Sequence, residues 1–291
     1  MKNRTVQYLL YADQHDMGGL PIRQPFPSAQ MDHVDPFLLL HHANVKVPKH
    51  LAPAKAGVSP HPHRGFSPVT FIFEGAVHHR DSRGNNSVVK AGGAQWMNAG
   101  MGIIHSERPS PDIHDIGGRQ EIIQLWINTP AKYKMDQPQY FPVQPEQVPS
   151  WKSADGKVKV NVFAGDVEGT RGVVPSLSPV NAATLYFEKG GEISLQIPSS
   201  HHAFIYLLDG KLNIGGYGLT EALHAVVFNQ DGDGISLTAL EDTRVLFMTG
   251  EPLNEKVVAH GPFVMNSETQ ILEAMRDYQM GKMGVLIEDQ N

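Results

Sequence analysis

Short apolar runs cut by glycine and Asp-Gly dominate the hydrophobic pattern of this 291-residue chain. Residues 69–73 (VTFIF), 121–128 (EIIQLWIN) and the strictly alternating 157–163 (KVKVNVF) have the period of strands. Residues 184–188 and 192–197 flank Lys189-Gly190-Gly191, and 204–208 and 211–214 flank Asp209-Gly210, so each pair predicts a hairpin. Residues 225–228, 235–240 and 244–248 continue the series, with turns at 215–218 and 231–234. Many short strands with glycine punctuation predict an all-β sandwich or barrel.

One helical period stands out, near the C-terminus. Ser267 and Gln270 have capping-box spacing, Ile271, Leu272, Met275 and Tyr278 fall on one face, and Gly281 suits the C-terminal cap. An amphipathic helix this short needs a partner, so it is expected to dock on the β body. Pro130, Pro138, Pro142, Pro145 and Pro149 predict a linker that interrupts strand pairing. The halves on either side echo each other. Residues 69–75 (VTFIFEG) resemble 204–210 (FIYLLDG), 135 positions on, and each run follows a histidine pair. A duplicated β-barrel is the expectation.

Composition narrows the chemistry. The chain has no cysteine, which removes disulfides, thiolate zinc sites, iron–sulfur clusters and cysteine nucleophiles. A net charge of −6 lacks the bulk electrostatics of direct nucleic-acid binding. No apolar run reaches the ~20 residues of a membrane span. The polar first residues lack a signal-peptide core, so a cytoplasmic protein is expected. Of the 15 histidines, 11 precede residue 116, which points to chemistry in the first half.

Two motifs carry that chemistry. In His61-Pro62-His63-Arg64-Gly65-Phe66 the histidines are two apart, so an extended backbone turns both to one face. Gly102-Ile103-Ile104-His105-Ser106-Glu107 gives His105 and Glu107 the same relation. If the two strands lie side by side inside a barrel, three imidazole nitrogens and one carboxylate converge. That donor set suits iron(II) first, with copper, nickel, manganese or zinc able to occupy it, and leaves open positions on a six-coordinate ion. His78 and His79 are adjacent, so they read as strand surface or barrel rim, and His41 and His42 likewise. His201 and His202 read as a relic of the first motif, without a metal. Trp96 and Met97 read as barrel wall or core.

At these residues the chain resembles the pirin family of the cupin superfamily. The likeness runs through Asp35-Pro36-Phe37-Leu38-Leu39-Leu40, His61 to Phe66, Gln95-Trp96-Met97-Asn98-Ala99-Gly100 and onward to Glu107, Gln124-Leu125-Trp126-Ile127-Asn128 and Gly261-Pro262-Phe263-Val264-Met265-Asn266. The resemblance implies two tandem cupin-type β-barrels, a bicupin. Residues 1–135 would form a metal-binding barrel, 136–150 a linker, 151–265 a metal-free barrel, and 266–291 the helix and tail. It further implies a single iron on His61, His63, His105 and Glu107.

Three functional expectations follow from the resemblance and the site. One is an iron-dependent dioxygenase of the quercetin 2,3-dioxygenase type, taking dioxygen and a small flavonol-like enolic substrate, with Glu107 as catalytic base. Another is a metal-dependent interaction protein or transcriptional co-regulator whose partner is a protein. Detoxification of a quinone-like compound at the same site is a third. A monomer is expected, since two barrels can bury their faces against each other.

Overall fold

The short apolar runs become strands in the structure, a computed structural model that describes residues 1–51 and 55–288. In chain order these are β1 (Val6–Tyr11), β2 (Asp13–Met17), β3 (Leu20–Gln24), β4 (Phe37–Val47), β5 (Val58–His63), β6 (Phe66–Glu74), β7 (Ala76–Asp81), β8 (Asn86–Lys90), β9 (Ala94–Asn98), β10 (Ile103–Pro109), β11 (Gly118–Asn128) and β12 (Gln139–Val143). The second half continues with β13 (Ser150–Lys152), β14 (Val158–Ala164), β15 (Asp166–Val167), β16 (Thr170–Arg171), β17 (Val180–Phe187), β18 (Glu192–Gln196), β19 (His202–Asp209), β20 (Lys211–Ile214), β21 (Gly218–Glu221), β22 (His224–Phe228), β23 (Gly234–Ala239), β24 (Thr243–Gly250), β25 (Val258–His260) and β26 (Phe263–Met265). Two α-helices accompany them among the described residues, α1 (Asp112–Ile116) and α2 (Glu268–Gln279). Among the described residues no helix is long and apolar enough to cross a membrane.

The fold is all-β, two tandem barrels with a C-terminal amphipathic helix. Each barrel joins a seven-stranded sheet to a four-stranded one. In the first barrel the orders are β12-β9-β6-β11-β4-β3-β2 and β5-β10-β7-β8. In the second they are β1-β22-β19-β24-β17-β14-β13 and β18-β23-β20-β21. The compact units interleave along the sequence. One gathers residues 15–22, 41–146 and 254–291, the other 1–14, 23–40 and 147–253. The reason lies in strand pairing: β1 hydrogen-bonds to β22, while β26 and α2 pack together in the unit of the first barrel.

The two predicted hairpins do not form. Strand β17 pairs with β14 and β24, whereas β18 pairs with β23. Strand β19 pairs with β22 and β24, whereas β20 pairs with β21 and β23. The glycine turns hand the chain from one sheet of the barrel to the other. The first barrel does the same at Gly75, between β6 and β7. Gly75 and Gly210 share a left-handed backbone, φ 76° and 77°, and a Cβ there would strike the carbonyl oxygens of Arg119 and Asp242. The sequence echo at these glycines is therefore a repeated barrel corner.

That repeat aligns the barrels strand by strand. Strand β10 pairs with β5 and β7, as β23 pairs with β18 and β20. The strands that carry the two histidine motifs, β5 and β10, thus correspond to β18 and β23. In the second barrel these strands contribute Ile193, Leu195, Ile235 and Leu237 to one continuous apolar core. His201 and His202 lie outside that pair of strands. His201 Nδ1 is 3.0 Å from Thr249 Oγ1, and His202 Nδ1 is 2.8 Å from the Asp35 carbonyl.

Two further expectations change. The proline-rich segment is not free of pairing, because β12 runs against β9 at a sheet edge, where Pro142 is tolerated. Helix α2 starts as expected, with Ser267 Oγ accepting the Gln270 amide, and Gly281 follows it in the left-handed region. Its buried side is Ile271 and Ala274 with Met275 against them, while Leu272 points to solvent at 65% exposure. Leu272 lies about 100° around the helix from Ile271, off the stripe of Ile271, Ala274 and Met275.

Arg4 anchors the N-terminal segment to the second barrel. Its guanidinium is buried and donates to the carbonyls of Gly232 (3.2 Å), His201 (2.6 Å) and Pro198 (2.8 Å). Arg4→Ala is expected to cost about 3 kcal/mol in urea unfolding, because three acceptors lose a charged donor. Arg4→Lys should recover only part of that, since the guanidinium meets its three carbonyls with three separate nitrogens and a single ammonium nitrogen cannot span them. An Arg4→Ala midpoint equal to wild type would contradict this role.

Candidate metal centre

Strands β5 and β10 are antiparallel neighbours in the register His61 opposite His105, Pro62 opposite Ile104 and His63 opposite Ile103. The two-residue period then brings three imidazoles to one point. Nε2 of His61 lies 3.0 Å from Nε2 of His63 and 3.1 Å from Nε2 of His105. Among the described residues this is the one group of three such side chains whose ligand atoms lie within 4.8 Å of one another.

Glu107 stands outside that cluster but lines the same cavity. The register slips between His105 and Glu107, so that Glu107 faces Val58. Pro60 and Pro62 lack the N–H groups of a regular ladder, and a bulge re-aims the side chains around it. Both carboxylate oxygens are engaged. Oε1 accepts from Thr70 Oγ1 (2.6 Å) and Oε2 from Gln124 Nε2 (2.5 Å). The Trp126 indole in turn donates to Gln124 Oε1 (3.2 Å), which fixes which end of the amide faces Glu107.

The outer nitrogens decide which protons the rings carry. His61 Nδ1 lies 2.8 Å from the Ser59 carbonyl and His63 Nδ1 3.4 Å from that of Pro262. A carbonyl only accepts, so both rings are protonated at Nδ1 and direct lone pairs from Nε2 to the centre. Burial, reinforced by His61, holds His63 and His105 well below the ordinary imidazole range. Neutral imidazole is the form that ligates. The inward lone pairs of His61 and His63, 3.0 Å apart with His105 Nε2 beside them, repel one another unless a cation sits among them. The donor set therefore fits a divalent first-row metal, and each Glu107 oxygen keeps a lone pair beyond its one hydrogen bond.

Above the three histidines is a cavity of about 190 Å³. Met17, Leu20, Ile22, Ile122 and Trp126 are among its apolar walls, and His61, His63 and Glu107 are among its polar groups. Phe66 and Trp126 hold the His63 ring, with centroids 5.0 and 5.4 Å away.

Several histidines differ from their sequence reading. His41 lines the cavity, and burial, with a smaller effect of His15, pushes its pKa down to about 4. His42 is buried on the other face, 3.1 Å from Glu121 Oε1. His79 is buried too, whereas the rim position fits only its neighbour His78. Trp96 and Met97 are core. The sequence reading passed over Thr70 and Gln124, which face each other across β6 and β11. Each is a lone polar residue within an apolar run, a signal that was present in the sequence.

The chain is similar to known proteins over nearly all its length. The Pirin family profile matches residues 19–127, and the Pirin C-terminal cupin domain profile matches 182–284. A pirin-like protein from Solanum lycopersicum is 34% identical, covering 96% of this chain and 92% of its own. A pirin-like protein from Caulobacter vibrioides is 37% identical, over 88% and 89%. The crystal structure of quercetin 2,3-dioxygenase from Acinetobacter baumannii matches with a TM-score of 0.91 at 32% identity, covering 98% of this chain and 100% of that one.

Lys134 braces the loop that follows His63. Its buried ammonium donates to the Gly65 carbonyl (2.6 Å), Asn128 Oδ1 (2.7 Å) and the Val264 carbonyl (3.2 Å). Burial pushes its pKa from 10.5 to about 8, against a weaker opposing pull from Glu255. Lys134→Met is expected to cost roughly 2–3 kcal/mol near neutral pH. Between pH 8 and 10.5 the unfolded chain holds the lysine proton that the folded chain has released, so this residue's contribution to stability rises with pH. Urea unfolding across that window should show wild type gaining on Lys134→Met. A constant or shrinking difference would contradict the buried, shifted amine.

Proposed function

The chain belongs to the pirin family, and on that premise we propose that it is an iron(II)-dependent dioxygenase of the quercetin 2,3-dioxygenase type, acting on a flavonol-like enolic substrate. The observation that carries the reading is the convergence of three imidazole Nε2 atoms beside a carboxylate at the floor of an apolar cavity. His61, His63, His105 and Glu107 would hold the metal. Bound there, it would supply a Lewis acid for the enolic oxygen and a centre for dioxygen chemistry.

The remaining work falls to the chain. Ile22, Ile122 and Trp126 offer flat and branched apolar surface to an aromatic ring system and keep bulk water from the polar floor. Glu107 is the base, and its carboxylate takes the proton of the enolic hydroxyl. Thr70 and Gln124 hold the two oxygens in place before that transfer, and Trp126 holds Gln124. A positioned acceptor needs no reorganisation as the proton arrives. The similarity in sequence and fold to the Acinetobacter baumannii quercetin 2,3-dioxygenase supports the substrate class.

The test is aerobic turnover of quercetin by protein loaded anaerobically with iron(II). Loss of the flavonol absorbance with release of carbon monoxide is expected. No turnover with iron, copper, nickel or manganese would overturn the reading. His63→Ala should lower both metal stoichiometry and turnover by more than about 100-fold, beyond the 10–100-fold effect of losing an outer partner. Glu107→Gln should depress turnover more than substrate affinity, since it removes the base and leaves the apolar walls intact.

A further inference from the structure

His61 and His63 each direct Nδ1 at a backbone carbonyl, which settles their protonation. His105 directs Nδ1 at another imidazole, 3.5 Å from Nδ1 of His79. An imidazole nitrogen can donate or accept, so this contact alone does not say which ring carries the proton. The answer lies one residue further out. His79 Nε2 is 3.0 Å from Asp81 Oδ2, and both groups are buried. An ionised carboxylate only accepts, so His79 carries its proton on Nε2 and presents a lone pair at Nδ1. His105 must then donate from Nδ1, which leaves its Nε2 bare toward His61 and His63.

We propose that His79 and Asp81 are positioning residues that hold the proton of His105 on Nδ1 and so keep its Nε2 available to the metal. The proposal rests on the metal-site reading above. Three further features support it. Asp81 receives donors on both oxygens: the Arg83 amide (2.9 Å) and Asn85 amide (3.0 Å) on Oδ1, and Asn85 Nδ2 (2.7 Å) on Oδ2. Burial alone would raise its pKa, and these bonds, with that of His79, outweigh it and hold it below the usual carboxylate value. The Tyr140 ring stacks on His79 at 3.9 Å and 8° and fixes the imidazole plane. Strand pairing sets the whole series, because β7 runs beside β10 with Asp81 opposite His105 and His79 opposite Glu107.

A histidine held by a backbone carbonyl has one fixed tautomer. A histidine held by a second histidine depends on whatever that one touches. Replacing the Asp81 carboxylate by an amide should therefore reverse the series. The amide would donate to His79 Nε2, move the His79 proton to Nδ1, and move the His105 proton to Nε2, where it blocks ligation.

Long-range proton–nitrogen spectra of the metal-free protein, labelled with nitrogen-15 histidine, test this without reference to turnover. Wild type should show His105 protonated at Nδ1 and His79 at Nε2. Asp81→Asn should move the His105 proton to Nε2 and weaken cobalt(II) binding by roughly 10–100-fold. His79→Phe keeps the stack on Tyr140 but removes the acceptor, and should weaken cobalt(II) binding over the same range. Wild-type His105 protonated at Nε2 would overturn the proposal even if Asp81→Asn fails to fold. So would a folded Asp81→Asn whose His105 tautomer and cobalt affinity match wild type. The tautomers read in metal-free protein stand or fall independently of quercetin turnover, so failure of the dioxygenase reading is told apart from failure of this one.

Discussion

The antiparallel pairing of β5 with β10, in the register that sets His61 across from His105, is the constraint on which the rest depends. With a side-chain period of two, a slip of one residue would turn His61 and His63 away from His105 and put Pro60 and Pro62 in their place. The prolines limit the pairing that these strands can make by themselves, so the register is held from outside. Arg64 is buried and donates to the Met101 carbonyl and to Asp277 of α2. Lys134 holds Gly65 and Val264 together. Ser106 and Arg108, the residues that alternate with His105 and Glu107, both donate to Glu288 in the C-terminal tail. The segment after residue 253 thus braces both motif strands from behind.

The two barrels show what this arrangement displaces. Their strand pairing is parallel in plan, yet the positions on β18 and β23 that correspond to the motif strands hold aliphatic side chains within one apolar core. The first barrel instead places Thr70, His79, Asp81, Gln95 and Glu107 among its buried side chains. Buried polar groups of this kind are tolerated when they are partnered: Thr70 donates to Glu107, His79 pairs with Asp81, and Gln95 donates to the Val77 carbonyl. A polar interior with its hydrogen bonds pre-assigned is poor for stability and good for holding ligand atoms in place.

What could be read from the sequence follows from the range of the physics involved. The convergence of His61, His63 and His105 follows from strand geometry, which sets residues two apart on one face, whereas Glu107 takes its place in the cavity wall after a register slip that no period contains. The repeat at Gly75 and Gly210 was legible as an echo, but its meaning as a sheet-switching corner was not. Whether a glycine turn closes a hairpin or hands the chain across a barrel depends on which strand waits on the other side. Adjacent histidines on a strand point to opposite faces, so an assignment of both His78 and His79 to surface or rim fails for His79, which alternation turns inward. Leu272 faces solvent because it lies about 100° around the helix from Ile271, off the stripe of Ile271, Ala274 and Met275 that packs inward. The pairing of β1 with β22 joins residues more than two hundred positions apart, which no local signal announces.

Anomalous diffraction at the iron edge, from crystals of the full chain loaded with iron(II), tests the central claim most directly. The account predicts one strong peak within bonding distance of Nε2 of His61, His63 and His105, and none in the second barrel. A map without a peak at those three nitrogens, or with its main peak elsewhere, would contradict it.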